Sequence, residues 1–369
     1  MDIEEEAYKQ AILTLKKCST PDGFYAAFPG YQMVFGRDSM ITSLGASLVG
    51  EDFKQTFKQS LITLAKNQSP KGQIPNAIDV SSKPHIDYKS IDSTLWFIIG
   101  EYIYSKRYKD RTLLDKHKKN ISSALAWLSY QDMGEDSMLE QLPTTDWQDA
   151  FPHRYGHTIN TQALYYFVLS LVGKHQEAEK LKKTVNENKD DGLWNEEFYL
   201  PWRWKNHNTY HEKGEWFDSL GNLLAIIFEL ADKNKAEKIL KYINDKKVNK
   251  PYPIKAIYPP ILQGTKDWQD YFLDCDAGIP YHYLNGGIWT YIGSFYVLAL
   301  VKMKKFKETE EELKNLAKAN MLSPYFNEWI NGETGEIGES ASGNNGNQAW
   351  NAGMYILAYN STKKRKVLI

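Results

Sequence analysis

Hydrophobic and polar positions recur at helical spacing along almost the whole chain, and they sort into two patterns. Six segments are amphipathic and rich in Lys and Glu: residues 3–17, 52–67, 112–131, 174–187, 233–245 and 306–319. A single apolar stripe of this kind predicts a helix with one face inside and one face in water. Six others are apolar nearly all round: residues 38–49, 91–106, 157–172, 216–230, 286–303 and 347–360. Helices of that composition need cover on most sides. The two kinds alternate strictly, as six helical hairpins would if each placed one helix inside and one outside. The pattern therefore predicts an all-α fold, an (α/α)6 toroid of six hairpins, with residues 1–369 forming a single domain. Parallel α/β folds are disfavoured, because no two-residue hairpin turn joins alternating strands and no glycine-rich fingerprint follows a strand. A stacked solenoid is the structural competitor, but its repeats would resemble one another more than these segments do.

Polar and aromatic residues gather just before the buried helices, at 35–38, 85–92, 144–157, 200–216, 267–289 and 327–350. A closed toroid opens all its inner-helix N-termini on one face, so these segments are expected to line a single funnel. The densest is TTDWQDAFPHRYGHTINTQ at 144–162. Carboxylates beside an indole suit a sugar, whose apolar ring face stacks on aromatic rings while its hydroxyls need acceptors. The competing reading is a surface loop capped by Asp149 with Trp147 as its apolar plug. Sugar-contact candidates in these segments are Asp146, Trp147, His157, Gln162, Trp216, Tyr283, Trp289, Gln348 and Trp350. DWQDAF at 146–151 recurs as DWQDYF at 267–272, either a chance echo or a second sugar-contacting wall built on Trp268 and Asp270.

Composition narrows the partner class. The net charge is -1, which offers no basic field for nucleic acid or anionic lipid. No apolar run approaches a membrane span, so neither a nucleic acid nor a membrane partner is expected, and the sequence is silent on oligomeric state. Eleven Trp and 24 Tyr exceed what packing usually demands and fit stacking surfaces in a cleft. Cys18 and Cys275 are too few for a disulfide framework or a thiolate metal cluster. With an acidic N-terminal stretch that has no apolar core, they point to the cytoplasm. His153, His157, His207, His211 and His282 lack metal-ligand spacing, so no metal and no cofactor is expected.

Glycosidic hydrolysis needs one protonated carboxyl to donate to the leaving oxygen and one ionised carboxylate on the opposite face. Asp149 and Glu328 are the candidate catalytic pair, each close to an indole, Trp147 and Trp329, and each preceding a buried helix. Asp38, Asp92, Asp146 and Asp270 are carboxylates too, and residue type alone does not rank them. Asp before a helix is commonly an N-cap.

The runs FGRDSMITSLG, KGQIPNAIDVSSKPHIDYKSIDSTLWFI, TDWQDA with GHTINTQALYY, and NEWINGETGE with NQAWNAG resemble the amylo-α-1,6-glucosidase domain of glycogen debranching enzymes. YHYLNGGIW and WFDSLGNLLAI are more similar to neutral/alkaline invertases. The resemblance covers nearly the whole chain and implies an inverting, cofactor-free glycoside hydrolase on an (α/α)6 barrel. Asp149, in W-Q-D, matches the general acid, and Glu328, in N-E-W, matches the general base. Arg37, Asp38, Asp92 and Trp96 fall where those families bind sugar. The family's basic-Gly-Lys-X-V-E run after the acid is replaced here by Tyr155-Gly156-His157-Thr158-Ile159-Asn160, without its Lys and Glu. The expected activity is hydrolysis of an α-glucoside in an oligosaccharide or glycogen-like substrate. The alternatives are an invertase-like hydrolase of sucrose, or a sugar-binding or sugar-epimerising protein on the same barrel.

Overall fold

The computed structural model describes residues 2–81, 85–187, 192–207, 210–274, 278–340 and 346–369. Cys275 and the side chain of His207 lie outside the described residues. The outer helices are α1 (Ile3–Cys18), α3 (Lys54–Lys66), α5 (Thr112–Lys116) with α6 (Lys118–Ser129), α8 (His175–Asn186), α10 (Lys233–Asp245) and α12 (Phe306–Asn320). The inner helices are α2 (Gly36–Ala46), α4 (Asp92–Tyr108), α7 (Ile159–Leu171), α9 (Ser219–Ile227), α11 (Thr290–Lys302) and α13 (Ala349–Lys364). All six amphipathic and all six apolar segments are thus helical, in the expected alternation.

Burial follows the pattern that predicted it. Every residue of α2 and of α9 is buried, whereas α10 buries only Ala236, Ile239, Leu240 and Ile243, a stripe at i, i+3, i+4 and i+7. In sequence order each inner helix packs against the next, and α13 returns to pack against α2. The ring is closed, and the fold is an (α/α)6 toroid. Closure depends on small residues. A Cβ on Gly45 would lie 1.6 Å from the Gly353 carbonyl oxygen, and one on Gly353 would lie 2.4 Å from the Thr42 oxygen. Helix backbones approach this closely only where side chains are absent. Around the seam Gln348 and Asn347 pair with Ala27 and Phe28, and Thr14 Oγ1 donates to Asn347 Oδ1 at 3.1 Å.

Two features depart from expectation. The outer segment 112–131 is not one helix, because it breaks at His117, whose Nδ1 lies 2.6 Å from the buried Glu101 Oε1 of α4. The turn brings the imidazole inward to a carboxylate that otherwise sits in an apolar wall. The second is a four-stranded antiparallel sheet of residues 140–141, 156–158, 202–207 and 210–213, with Glu140 opposite His157, His157 opposite Arg203, and His207 opposite Tyr210. Its longest strands lie in the segment between α8 and α9, where helical periodicity predicts only a loop. The signal was the alternation Trp202-Arg203-Trp204-Lys205, aromatic residues at period two.

The seam at Gly45 and Gly353 gives a direct test. Gly353→Val should lower unfolding free energy by about 2 kcal/mol or more, because the added methyls meet backbone that cannot retreat without opening the ring. Urea titration followed by far-ultraviolet circular dichroism measures it, with Gly50→Val, a glycine with no atom near its Cβ direction but a positive φ of 79°, as a control for strain without clash.

Candidate active site

Four of the six segments that lead into inner helices meet in one narrow cleft. Tyr31, Phe35, Arg37 and Asp38 come from the approach to α2 and its first turn, and Trp147 and Asp149 precede α7. Tyr283 and Trp289 precede α11, and Glu328, Gln348 and Trp350 come from the approach to α13 and its first turn. The water-accessible volume is about 70 Å³. At about 10–15 Å³ for each water on that measure, the cleft holds roughly five waters. A larger depression of about 610 Å³ shares no lining residue with it, but the carboxylates and indoles converge in the smaller one.

The walls are interlocked aromatics. Trp147 meets Trp289 and Tyr291 edge to face at 6.0 and 5.8 Å, and Tyr291 stacks on Trp350 at 4.1 Å. The Arg37 guanidinium lies 5.9 Å from the Trp350 ring centre. The indole Nε1 atoms of Trp147 and Trp350 are buried without a hydrogen-bond partner. Arg37 Nε and Asp38 Oδ2, 3.4 Å apart, likewise complete no hydrogen bond. Buried polar atoms are rarely left so, and a ligand carrying several hydroxyls would satisfy them.

The two candidate catalytic carboxyls have different surroundings. Asp149 keeps more than a third of its surface accessible, but protein surrounds that surface on most sides. Burial therefore dominates and raises its pKa to about 6, against the opposing pull of Arg37. Glu328 is held by hydroxyls: Tyr31 and Tyr283 each donate to Oε1 at 3.2 Å, and Ser340 donates to Oε2. Three O–H donors suit a carboxylate, which only accepts. Burial and the neighbouring Glu328 push both phenols above their ordinary range, so they remain donors. Asp38 is also raised to about 6 by burial, with Arg37 opposing, but it is almost enclosed and lies against that guanidinium.

The acid-bearing segment is anchored from below. Arg154, fully buried, donates to Asp146 Oδ2 at 2.7 Å and to Asp218. Asp218 is the N-cap of α9 and accepts from Gly221 N, while Asp146 accepts from Gln148 N at 2.9 Å and from Gln141 Nε2 at 2.9 Å. One cation thus ties the W-Q-D turn to the start of an inner helix. Arg37 does the same on the opposite flank, donating to both oxygens of Asp92 at 3.3 Å and to Ser90 at 3.4 Å.

Of the residues singled out from sequence, Asp149, Glu328, Arg37, Asp38, Trp147, Tyr283, Trp289, Gln348 and Trp350 share the cleft. The others lie elsewhere. Asp92 and Asp146 sit behind the wall as partners of Arg37 and Arg154. Trp96 packs on Phe295 in the core, and Trp216 is buried outside the cleft. Gln162 brackets the backbone of Leu139 through its N–H and C=O, and His157 lies 3.6 Å from the carboxylates of Asp136 and Glu140. The echoed hexapeptide lies beside the first copy, with Phe272 against Phe151 at 4.4 Å, and neither Trp268 nor Asp270 lines the cleft. Sequence reasoning missed Tyr31, Ser340 and Arg154. Tyr31 had a usable signal, an aromatic residue in a Pro-Gly turn just before an inner helix. Among the described residues no group of three or more His, Cys, Asp or Glu is placed to hold a metal ion, and no helix is long and apolar enough to cross a membrane.

Solved structures that superpose on this chain include several glycosidases. A GH63 mannosylglycerate hydrolase from Thermus thermophilus, in complex with glucose, superposes with a TM-score of 0.70 at 12% identity, covering 96% of this chain and 99% of that one. A rhamnosidase from Klebsiella oxytoca with rhamnose bound gives 0.69 at 13%, covering 98% and 64%. A bacterial glucoamylase complexed with acarbose gives 0.65 at 16%, covering 98% and 56%. At such identities the likeness establishes the six-hairpin glycosidase fold. The amylo-alpha-1,6-glucosidase family model matches residues 9–359, and the chain belongs to that family of glycoside hydrolases. No curated protein sequence matches it.

Because Arg154 is the cation that bridges two buried carboxylates, its loss should be costly. Arg154→Leu is expected to lower stability by about 3–5 kcal/mol, measured by urea denaturation, whereas Arg154→Lys should retain part of that difference.

Proposed function

We propose that the protein is an inverting glycosidase of α-glucosidic linkages in an oligosaccharide or glycogen-like substrate, and that residues 1–369 act as one catalytic domain without a cofactor. The observation that carries this reading is the asymmetry of two carboxyls in one cleft. Asp149 has a pKa raised to about 6 and surface open to a ligand, while Glu328 is held by three hydroxyl donors. In the proposed reaction the Asp149 carboxyl gives its proton to the glycosidic oxygen as the C–O bond breaks. Glu328 takes a proton from a water that attacks the anomeric carbon from the opposite face. Asp38 is less suited to the acid role, because its contact with Arg37 favours the charged form and its carboxyl is nearly enclosed. The unpartnered indole N–H groups and Arg37 would bind the hydroxyls of the ring in the cleft. A 2-epimerase would need histidine bases flanking the ring, and among the described residues no histidine lines the cleft. The scarcity of cysteine favours the cytoplasm.

The assignment makes linked predictions. The carboxyl groups of Asp149 and Glu328 should stand roughly 6.5–9.5 Å apart in a substrate complex, and nuclear magnetic resonance of the first product should show inverted anomeric configuration. Asp149→Asn should cost about 10²–10⁴-fold in kcat/KM on poor leaving groups and much less on good ones, whereas Glu328→Gln should slow both alike. Activity should decline as pH rises through about 6, because a raised pKa keeps Asp149 protonated below that value and ionised above it. Replacing Arg37 by Gln removes the charge that opposes the shift, so the same limb should move to higher pH. Net retention, or a fully active Glu328→Gln enzyme, would overturn the assignment.

A further inference from the structure

The cleft has room for about one sugar ring, so the rest of an oligosaccharide must lie elsewhere on the surface. We propose that the separate groove beside the acid-bearing segment is a second carbohydrate-binding site, which holds glucose units of the substrate beyond the cleft. The proposal rests on the α-glucan reading above and extends it to residues that play no part in bond cleavage.

The groove is about 610 Å³, large enough for several sugar rings, against about 70 Å³ for the cleft. It runs against the same stretch of chain. Thr145 and Tyr155 line the groove, while Trp147 and Asp149, between them in sequence, line the cleft. Ile91, whose N–H donates to the Thr145 carbonyl at 2.8 Å, faces the groove, and the adjacent Asp92 holds the cleft residue Arg37. A chain bound in one site is therefore close to the other.

Its lining is the surface a neutral sugar chain recognises. Tyr88, Trp127, Tyr155 and Trp204 contribute four half-buried aromatic rings, and Met133 and Leu142 stand at the rim, 71% and 72% exposed. Two of these rings are pinned by hydrogen bonds. Tyr88 donates to the Asn67 carbonyl at 2.8 Å, Tyr155 donates to Glu212 at 2.8 Å and stacks on Trp202 at 4.6 Å, and Trp127 packs under Gly72. Rings held in place lose little conformational freedom when a ligand stacks on them. Among the described residues the charged groups on the lining are Lys89, Glu140 and, when protonated, His153. The groove has, among the described residues, no cluster of cations that would select a phosphate or an anionic polymer. Apolar ring faces with a few amide and charged ends at the edge match alternating C–H faces and hydroxyls of a glucan. Binding there would raise the effective concentration of chain ends at the cleft without touching the reacting bond.

The test uses the full chain with Asp149→Asn, so that the ligand survives, and maltoheptaose as the probe in isothermal titration. Maltoheptaose should bind. Adding either Trp127→Ala or Leu142→Asp should raise Kd by about five-fold or more. Leu142 is mostly in water, so the second variant remains informative where the first perturbs folding. In the otherwise unaltered enzyme the same two substitutions should leave kcat/KM for isomaltose within about two-fold, since that disaccharide is too short to reach the groove. Unchanged Kd in both variants overturns the proposal. So does an enzyme that hydrolyses isomaltose but does not bind maltoheptaose, or self-association abolished by Leu142→Asp without any maltoheptaose binding, which would make the groove a contact between copies. If isomaltose is not hydrolysed while maltoheptaose binds and both substitutions weaken it, the groove stands and the α-glucosidase reading falls.

Discussion

The contact between α2 and α13 is the constraint on which the candidate cleft depends. Five of the six inner-helix contacts join elements that are neighbours in the hairpin series, but this one joins the first inner helix to the last. Gly45 and Gly353 let the two backbones touch, and the short pairing of 27–28 with 347–348 continues the seam into the loops above. Arg37 and Asp38 reach the cleft from one side of the seam, and Gln348 and Trp350 reach it from the other. A ring left open by a few ångströms would keep its helices and lose the geometry that sets Asp149 against Glu328.

Above the ring, charge does the positioning. Trp147, Asp149, Tyr283, Trp289 and Glu328 sit on irregular backbone, which has no ladder of its own to hold a side chain in place. Two arginines supply the missing rigidity, Arg154 beneath the W-Q-D turn and Arg37 at the mouth of α2, each bridging two carboxylates with little or no exposure to water. Buried pairs of this kind add little net stability, but they specify one arrangement, because any other leaves a charge uncompensated. Beyond burial, Asp38 and Asp146, one carboxylate of each set, raise the pKa of Asp149 while Arg37 opposes them, so the framework around the W-Q-D turn also tunes that carboxyl.

The fold was legible because helical periodicity is a local property. The alternation of all-apolar and half-apolar segments survives in every hairpin and needs no knowledge of partners. The site was legible where chemistry forces residue type: an acid beside an indole, at 147–149 and again at 328–329, in the approach to a buried helix. What sequence did not reveal depends on distance across the ring. Asp92 and Asp146 look like sugar ligands in isolation and become anchors only once Arg37 and Arg154 arrive. Tyr31 and Ser340 meet Glu328 from positions 297 and 12 residues away in the chain. Trp96 carries no local mark that separates a core indole from a stacking one.

The seam has a temporal side as well. Residues in the forties must wait for partners more than three hundred positions later, and contacts of such separation are slow to form because a long loop must close first. During synthesis the early hairpins emerge with α2 exposed on the flank that α13 will later occupy, and α2 is buried along its entire length in the finished ring. Until α13 leaves the ribosome, that surface lacks the cover it has in the finished ring. The cleft, which takes residues from both sides of the seam, can assemble only after α13 has docked on α2.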